Sequence, residues 1–529
     1  MREDRKMKNS VGRELPERIG HYNVRPFMGI GKAEEVYGAV VSKRRPTLRP
    51  ASGTKLAGTL QDAIRATGLK DGDTISFHHC FREGDQIIGQ VLQAIRELGI
   101  KDLRFAPSAV VNVKNPSVVE FVKDGTISRI EASGIRGELG DAVISGEIRL
   151  EEPVILRPHG ARPRAIESGD LQIDVAFIGA SAADEYGNAT GQVGPSACGS
   201  LGYAFVDAHN AGKVVVITDN LVDYPCTPIS ISQQYVDYVV KVDHIGDPQK
   251  IGAGAARMTK NPRDLMIAQY TANAIAASRR FKEGFSFQTG AGAIPIAITN
   301  FLGEKMEEAG ITASFALGGI PAAIIDLHKK GLVRVVAQSQ SFDAVAARAI
   351  YENPNVIEID NAVYSNPFAK GCMLDRLDFG VLGALEIDTD FNINILTGSS
   401  GEMMGGLGGG PDVADGARIS IVTLPLTRGR TPSVVKRVFT LCTPGASVAM
   451  AVTEAGIALN PAHPMYEELR EDLTAAGIRL TTLDALQKLA ESIVGVPDPI
   501  ETTDRVVCVV EYRDGTVIDT IKEIKPKKA

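Results

Sequence analysis

The chain has 529 residues, of which 44% are apolar, and its formal net charge is −7. This length exceeds one ordinary domain and predicts two or three. Charges of both signs are mixed along the chain, which argues against a nucleic-acid partner and against a role at a membrane surface. The amino terminus lacks a signal-peptide pattern, and no apolar run is long enough to span a bilayer. We therefore expect a cytoplasmic protein.

The first 50 residues are polar and contain prolines at positions 16, 26, 46 and 50. Because proline cannot donate to a strand ladder or a helix interior, this stretch predicts an arm that wraps a surface. From Leu56 onward, short β-rich runs alternate with helical patterns, which indicates a mostly parallel sheet flanked by helices. The strands predicted in this part are Thr74–Phe77, Leu103–Phe105, Ala109–Val113, Ile173–Ile178 and Val214–Thr218.

A domain boundary is predicted near residues 245–262, where Asn261 and Pro262 are typical of a helix start. The α/β alternation then begins again, so we predict two tandem α/β domains at 51–245 and 246–529, after an arm at 1–50. Asp184-x-x-x-Asn188 and Asp388-x-x-x-Asn392 form a faint internal repeat that is consistent with duplication or with chance. The strands predicted in the second part are Phe285–Gln288, Leu332–Ala337, Val356–Ile359, Leu382–Ile387, Ile419–Leu424, Val438–Cys442 and Val506–Tyr512.

The six cysteines form no Cys-x-x-Cys pair, and no histidine lies at metal-finger spacing from them. Neither disulfides nor a zinc site are therefore indicated, and reduced thiols are expected. We predict no metal site in the chain.

Seven of the thirteen residues from Gly398 to Gly410 are glycine. Each glycine inside an element costs roughly 0.5–1 kcal/mol relative to alanine, so this density requires an explanation. Glycine lets backbone N–H groups approach a bulky ligand and direct several donors at one oxygen. The segment follows a strand-like run and so lies where open α/β sheets bind ligands. A flexible surface loop is the alternative to this ligand-binding interpretation.

A second glycine cluster, Gly290-Ala291-Gly292-Ala293-Ile294-Pro295, links a predicted strand to a predicted helix. Backbone N–H groups at such a helix start can hold a phosphate or another polar group. A single Gly-x-Gly is weak evidence by itself. In combination with the 398–410 segment and TEAGIA at 453–458, the signal becomes more specific.

These motifs resemble the coenzyme A transferases, in the acetyl-CoA hydrolase/transferase branch. GAGAIP at 290–295, ALEIDTDFNIN at 384–394, GGLGGGPD at 405–412 and VTEAGIA at 452–458 match that branch in order and spacing. In the first half, residues 162–188 also match. The resemblance implies two tandem CoA-transferase-type domains, in which Gly290–Ile294 together with Gly405 and Gly409 bind the thioester. Gly405 and Gly409 would act on the reacting carbonyl.

The chain departs from this branch at the nucleophile. Covalent relatives place a glutamate about twenty residues after the GAIP loop, and Ser314 is aligned with it here. A serine cannot replace that glutamate, because an oxygen ester is too stable to pass the acyl group readily to a thiol. A glutamyl-thioester route is therefore not expected, although Glu386 is an alternative nucleophile. Ser314 is predicted to lie where the attacking carboxylate of the substrate binds.

Longer segments resemble the citrate lyase α-subunit family of this group. They are residues 76–85, 224–240, 376–410 and 460–469. The resemblance implies exchange of acetyl for citryl on a thioester, with release of acetate. It also implies an acyl-carrier γ subunit that bears a phosphoribosyl-dephospho-CoA arm, for which acetyl-CoA is an analogue. A β subunit that cleaves the citryl thioester and an oligomeric assembly are implied as well, with no metal in this step.

Citrate carries close to three negative charges, so cationic or amide donors are required near the thioester. Arg82, with His78 and His79, follows a predicted strand, and Arg162 and Arg164 flank a proline. Arginine can bind carboxylates with two parallel hydrogen bonds, and Arg82, His78 and Arg162 are the main candidates for substrate binding. For each, a surface arginine or a structural histidine is the alternative.

Two other functions are compatible with parts of the pattern. A transferase or hydrolase that uses free CoA would share the glycine loops, but the serine at 314 argues against its covalent version. A ligand sensor or scaffold on a similar α/β fold would not need those loops. Acyl exchange between acetyl-CoA and citrate separates the three alternatives.

Overall fold

The computed structural model describes residues 6–30, 32, 36, 53–110, 117–251, 258–290 and 292–525. Residues 111–113 of the predicted strand Ala109–Val113 lie outside these ranges, and its described residues, Ala109 and Val110, form no strand. Ala291 also lies outside the described ranges. No helix within these ranges combines the length and the apolar character needed to cross a bilayer. All six cysteines are buried free thiols.

Ten strands form the first sheet, and neighbours pair in parallel except for the last two strands of the chain. Strand Val175–Gly179 is buried along its whole length, as expected for a sheet covered by helices on both faces. In spatial order the strands are Val517–Ile524, Thr502–Glu511, Val154–Leu156, Ile127–Ala132, Leu103–Pro107, Thr74–Phe77, Val175–Gly179, Lys213–Thr218, Tyr238–Lys241 and Leu56–Ala57.

Nine strands form the second sheet, which is also mostly parallel. Its single antiparallel pairing joins Met450–Thr453 to Gly456–Leu459. Apolar clusters pack on this sheet as well as on the first, so each sheet has its own core. In spatial order the strands are Val356–Glu358, Val333–Ser341, Ala313–Ile320, Ser286–Gln288, Phe379–Gly383, Ile419–Thr423, Met450–Thr453, Gly456–Leu459 and Leu480–Thr481.

The helices connect the parallel strands and bury their apolar faces on the sheets. The helix that was predicted to begin at Pro262 does so, with Asn261 accepting a hydrogen bond from the backbone N–H of Arg263. The α-helices are Leu60–Thr67, Ile87–Glu97, Val118–Lys123, Glu138–Ile144, Ala161–Ser168, Ala204–Asn210, Pro248–Ile251, Pro262–Ala277, Ala293–Ala309, Ala322–Lys329, Ala344–Glu352, Asn361–Ser365, Gly410–Gly416, Tyr466–Ala475 and Leu483–Val494.

The α/β class with mostly parallel sheets and flanking helices is confirmed, but, besides Ala109–Val113, two predicted strands differ. The run Leu382–Ile387 is divided between Phe379–Gly383 in the second sheet and Glu386–Asp388 in a small separate sheet. Residues Val438–Cys442 form no strand. Their apolar character reflects the burial of Val438, Leu441 and Cys442 in an irregular segment.

The two Asp-x-x-x-Asn segments adopt the same turn. One carboxylate oxygen of Asp184 accepts the backbone N–H of Asn188, and the other accepts its side-chain amide. Asp388 and Asn392 make the same pair of bonds. Each turn follows a strand of one of the large sheets, which is consistent with the predicted duplication.

The carboxyl-terminal strands belong to the first sheet, although they lie within the segment 246–529 that was predicted as the second domain. Strand Thr502–Glu511 pairs in parallel with Val154–Leu156. The amino-terminal arm packs on the same strands, with Leu15 and Val24 against Val509 and Val517. Both ends of the chain therefore stabilise one edge of the first sheet.

A buried ion-pair network holds this edge. Arg157 Nε donates to Glu511 Oε2 at 2.6 Å, and its Nη1 contacts Glu131. Tyr22 of the arm donates its hydroxyl to Glu511 Oε1 at 2.8 Å. The side chains of Arg157, Glu131 and Glu511 are each at most 6% exposed.

We expect Arg157→Met to lower the free energy of unfolding by about 3–5 kcal/mol, because it removes the nearest cation from two buried carboxylates. Urea unfolding followed by circular dichroism measures the change. The control Arg470→Met breaks an exposed pair with Glu467 and should cost less than about 1 kcal/mol. Equal losses in the two variants would contradict a structural role for the network.

Candidate functional site

The carboxyl ends of the two sheets face each other across a cleft of about 210 Å³. From the first sheet, the cleft receives the loops that follow strands Thr74–Phe77, Leu103–Pro107 and Ile127–Ala132. From the second part of the chain, it receives the end of Val333–Ser341 and part of the glycine-rich segment. The lining residues are His79, Arg82, Glu83, Ala109, Val110, Ser133, Gly134, Arg136, Gln340, Phe342, Gly405 and Gly406.

Arg82 lines this cleft, as the sequence predicted for a substrate-binding residue. Its backbone has a φ of 52°, a conformation that costs a non-glycine residue about 1–3 kcal/mol. Its guanidinium carbon lies 4.8 Å from the ring centroid of Phe342. Its Nε is buried and has no hydrogen-bond partner in the part of the chain that the structure describes. A strained backbone and an unpaired buried donor are typical of a ligand-binding position.

A second guanidinium, that of Arg136, lines the cleft and was missed by the sequence analysis. Its Nη2 lies 2.6 Å from Glu83 Oε1, and both side chains are about half exposed. Arg136 follows strand Ile127–Ala132, so it occupies the same edge of the sheet as Arg82. Its position after a strand was the available signal. An anionic ligand in the cleft would compete with Glu83 for this cation.

His78 and Arg162 lie behind the cleft and do not line it. His78 Nε2 lies 3.1 Å from the carbonyl oxygen of Gly179, and burial lowers the pKa of this histidine to about 4. Arg162 donates to both carboxylate oxygens of Asp207 and to the carbonyl oxygen of Ala106. These contacts support the structural alternative for both residues, although His78 Nδ1 and Arg162 Nε, like Arg82 Nε, are buried without a hydrogen-bond partner among the described residues.

His79, the neighbour of His78, faces the cleft instead. Its Nδ1 lies 2.6 Å from Ser108 Oγ, and its ring packs 4.4 Å from the ring of Tyr203. Burial, followed by the nearby histidines and Arg82, holds the pKa of His79 well below its usual range. The cleft is therefore lined by a neutral imidazole as well as by two guanidiniums.

The glycine-rich segment packs against Ile395 and against the loop that follows strand Ile127–Ala132 of the first sheet, which explains several of its glycines. A Cβ on Gly405 would lie 2.2 Å from the carbonyl oxygen of Ile395, so no side chain fits there. Leu407 donates its backbone N–H to Ser133 O at 2.7 Å. Gly409 immediately precedes helix Gly410–Gly416 and has more space, with a Cβ contact of 3.1 Å to Tyr364 Oη.

The second predicted glycine loop lies beside Gly409. Strand Ser286–Gln288 leads into Gly290 and Gly292, both at positive φ, and then into helix Ala293–Ala309, which Ala293 and Ile294 begin. Tyr364 donates its hydroxyl to Gln288 Oε1 at 3.1 Å and so bridges the two glycine loops. Tyr364 is therefore the link between Gly409 and the strand that leads into Gly290. Ala291 lies outside the described residues, and the binding role of these glycines stays a prediction. Gln288 and Tyr364 are additional residues that the sequence analysis missed.

Ser314 lies away from this region, contrary to the sequence-based alignment. It occupies the amino end of strand Ala313–Ile320, and its N–H and Oγ both donate to Phe285 O, at 2.7 and 3.0 Å. The loops lie at the carboxyl end, roughly 15 Å further along the strand. At that end the strand carries Gly318, where a Cβ would contact the side chain of Gln288 at 3.2 Å. No carboxylate of this strand reaches the loops.

Glu386 is also poorly placed to act as a nucleophile. It is 7% exposed and accepts hydrogen bonds from Asn394 Nδ2 and Ser399 Oγ. Burial raises the pKa of its carboxyl. Within the described ranges, no group of three or more histidine, cysteine or acidic side chains has an arrangement suited to a metal ion.

Comparison with known proteins identifies the group to which this architecture belongs. The family model for the citrate lyase α subunit, CitF, matches residues 53–524. The citrate lyase α chain of Klebsiella pneumoniae is 47% identical over 519 residues, covering 98% of this chain and 99% of that protein. The citrate lyase α chain of Escherichia coli K12 is 50% identical over 475 residues, covering 90% and 92%.

Solved structures agree with the sequence relatives. A Streptococcus mutans crystal structure, assigned as the α subunit of citrate lyase in complex with citrate, has a TM-score of 0.92 and 44% identity. The match covers 98% of this chain and 100% of the Streptococcus mutans chain. A malonate decarboxylase hetero-tetramer from Pseudomonas shares the fold, with a TM-score of 0.61 and 17% identity. The match covers 84% of this chain and 87% of that chain. The chain belongs to the citrate lyase α-subunit family.

Proposed function

We propose that the chain exchanges acetyl for citryl on a carrier-bound thioester and releases acetate. Membership of the citrate lyase α-subunit family gives the reaction class, citrate CoA-transferase. The single observation that carries the assignment of the site is the pair of guanidiniums, Arg82 and Arg136, in a cleft that adjoins the glycine loops. A cleft of about 210 Å³ has room for a molecule of the size of citrate.

The carboxylate side of the site is the cleft itself. Arg82 has an unpaired Nε, and Arg136 can exchange Glu83 for a substrate carboxylate. Guanidinium groups bind carboxylates through short charge-assisted hydrogen bonds, which suits a ligand with several negative charges. The proposed citrate-binding residues are therefore Arg82, Arg136 and other residues of the cleft wall. Of the residues predicted from the sequence, Arg82 is kept, and His78 and Arg162 are not.

The thioester side of the site consists of the two glycine loops. Gly409, Gly290 and the first turn of helix Ala293–Ala309 leave backbone N–H groups near Tyr364 and Gln288. Such donors stabilise the negative charge that develops on a carbonyl oxygen during attack. The prosthetic arm of a γ subunit is the substrate in this scheme, and acetyl-CoA serves as its analogue.

The reaction proceeds by two acyl transfers between oxygen and sulfur. A carboxylate oxygen of citrate attacks the acetyl carbonyl carbon, the carbon–sulfur bond breaks, and the thiolate leaves. The thiolate then attacks the citryl carbonyl of the mixed anhydride, and the carbon–oxygen bond to acetate breaks. No net proton is taken up or released, so the protein's tasks are to position the reactants and stabilise the oxyanions.

No protein carboxylate is needed as a covalent carrier in this scheme. Gly318 occupies the carboxyl end of its strand, Glu386 is buried and hydrogen-bonded, and Glu83 is paired with Arg136. A rival transferase that uses free CoA through a glutamyl thioester would have to recruit Glu83, since this carboxylate lines the cleft. The proposed assembly is an oligomeric complex that also contains a β subunit, which cleaves the citryl thioester.

We predict that no covalent acyl or CoA adduct of the protein forms. The full-length chain is incubated with acetyl-CoA, treated with borohydride or hydroxylamine, and digested for mass spectrometry. Unmodified Glu83 and Glu386 are expected, because neither is both free and close to the loops. A modified glutamate that disappears in the matching Glu→Gln variant would disprove the direct route.

We predict that Arg136→Met raises KM for citrate by about 10- to 100-fold, the equivalent of one hydrogen bond to a charged group. The KM for the acetyl thioester should change much less, because Gly409 and Gly290, the proposed thioester donors, do not line the cleft that contains Arg136. Initial rates of acetate release measure both constants. Arg65→Met, on an exposed helix face beside Asp62, is the control and should leave both constants unaltered. If KM for citrate is the same in the two variants, the cleft is not the citrate site.

We predict that Gly409→Val lowers acetyl-thioester exchange by about 100-fold, the loss typical of one oxyanion donor. A valine there displaces the Tyr364 hydroxyl, which lies 3.1 Å from the position of the new Cβ. Gly371→Val is the matched control, because no atom lies within 4 Å of a Cβ at that position. Thermal unfolding verifies that both variants are folded. Normal exchange by a folded Gly409→Val protein would exclude this loop from the site.

A further inference from the structure

His79 lies in the wall of the cleft. It follows strand Thr74–Phe77, and Ser108 follows the neighbouring strand Leu103–Pro107. The backbone N–H of His79 donates to Ser108 Oγ at 3.0 Å. The ring atom Nδ1 of the same histidine lies 2.6 Å from that oxygen. One hydroxyl group therefore contacts His79 twice.

These two contacts determine which ring nitrogen carries the proton. Ser108 is 2% exposed. Among the described residues, the hydrogen-bond partners of the Ser108 hydroxyl are the backbone N–H and the ring Nδ1 of His79. If Nδ1 carried the proton, the hydroxyl would accept two bonds, and its own hydrogen would lack an acceptor. If Nδ1 is unprotonated, the hydroxyl accepts from the backbone and donates to Nδ1. Buried polar groups favour the fully satisfied arrangement, which places the proton on Nε2.

Nε2 is the ring atom available to a ligand. His79 is half-buried, lines the cleft and, within the ranges that the structure describes, makes no side-chain hydrogen bond other than that to Ser108. The low pKa of the ring, caused mainly by burial, keeps it neutral at physiological pH. The cleft thus presents one neutral N–H donor beside the charged donors of Arg82 and Arg136.

We propose that His79 is fixed by Ser108 as the neutral Nε2–H tautomer and donates from Nε2 to the carboxylate of citrate that attacks the thioester. This inference rests on the function proposed above. A carboxylate in an ion pair shares its charge with the cation, and this lowers its reactivity toward a carbonyl carbon. A neutral donor orients the carboxylate and leaves more of its charge available. Arg82 and Arg136 then hold the other carboxylates, and His79 selects the arm that reacts.

The tautomer is tested first on the unmodified full-length chain. Nitrogen NMR of the protein labelled with ¹⁵N-histidine distinguishes a protonated from an unprotonated ring nitrogen, and His79→Gln assigns the signal. We expect a proton on Nε2, an unprotonated Nδ1 at neutral pH, and a shift of the Nε2 signal on addition of citrate. A proton on Nδ1, a charged ring, or no response to citrate at saturating concentration would overturn the proposal.

Two substitutions at the same position separate the ring atoms in activity. In His79→Asn, the side-chain amide takes the place of Nδ1, and the donor that Nε2 offers to the cleft is lost. In His79→Gln, the side-chain amide nitrogen lies near the former position of Nε2 and can still donate. We expect kcat/KM for citrate to fall by about 10- to 100-fold in His79→Asn, with a much smaller loss in His79→Gln. Equal losses in the two variants, or no loss in His79→Asn, would disprove the role of Nε2.

Ser108 acts as a positioning residue, so its variants must change the tautomer as well as the rate. Ser108→Ala should shift the proton partly to Nδ1 in the NMR spectrum and lower kcat/KM for citrate. Ser108→Thr retains a hydroxyl and should restore both. A loss of activity in Ser108→Ala without any change of tautomer would contradict the coupling.

The wild-type protein separates this inference from the proposed function. If it fails to exchange acetyl for citryl on the carrier, the proposed function is wrong, whatever the tautomer of His79. If it exchanges and His79→Asn is equally active, the function stands and the inference fails.

Discussion

The close approach of the two sheets is the constraint on which the site depends, and glycine makes it possible. A Cβ on Gly134 of the first sheet would lie 2.3 Å from the Cα of Gly406. A Cβ on Gly160 would lie 2.3 Å from the carbonyl oxygen of Ser365. Since both contacts involve backbone, no rearrangement of side chains could relieve them. The cleft exists at this place because the loops of two sheets meet without side chains between them.

The charges of the cleft follow from burial. Burial lowers the pKa of His78 to about 4 and that of His159 to about 3, so the histidines behind the cleft are neutral at physiological pH. The positive charge that faces a ligand therefore comes from Arg82 and Arg136. Glu83 neutralises Arg136, so an incoming carboxylate would replace an existing ion pair. Because this pairing has already removed part of the water around Arg136, binding costs only part of the desolvation free energy of the cation.

The sequence predicts this fold well wherever local patterns determine the structure. Strand Thr74–Phe77 and the helix start at Asn261 agree with the structure because burial and capping act over a few residues. The position of strand Thr502–Glu511 in the first sheet was not predictable, since its apolar pattern does not specify a partner strand. Val438–Cys442 was wrongly predicted as a strand for a related reason. Buried irregular segments are also rich in apolar residues, so an apolar run does not identify a strand by itself.

The same distinction applies to the candidate site. Both glycine loops were identified because glycine clusters are local, and Arg82 because it follows a strand. Arg136 and Tyr364 enter the site through contacts between distant segments, which one sequence does not reveal. Ser314 was misplaced because spacing along the chain cannot distinguish the two ends of the strand Ala313–Ile320, which face opposite edges of the sheet.

The return of the carboxyl-terminal strands to the first sheet has a consequence for biosynthesis. On the ribosome, strand Val154–Leu156 is made long before Thr502–Glu511, its neighbour in the sheet. Until Thr502–Glu511 is made, that edge has unpaired backbone groups, and Arg157 lacks one of its two carboxylate partners, Glu511. An exposed strand edge is a template for pairing with other chains. A nascent chain that stalls before strand Thr502–Glu511 thus presents an edge prone to pairing with other chains, and the synthesis of this strand is what closes it.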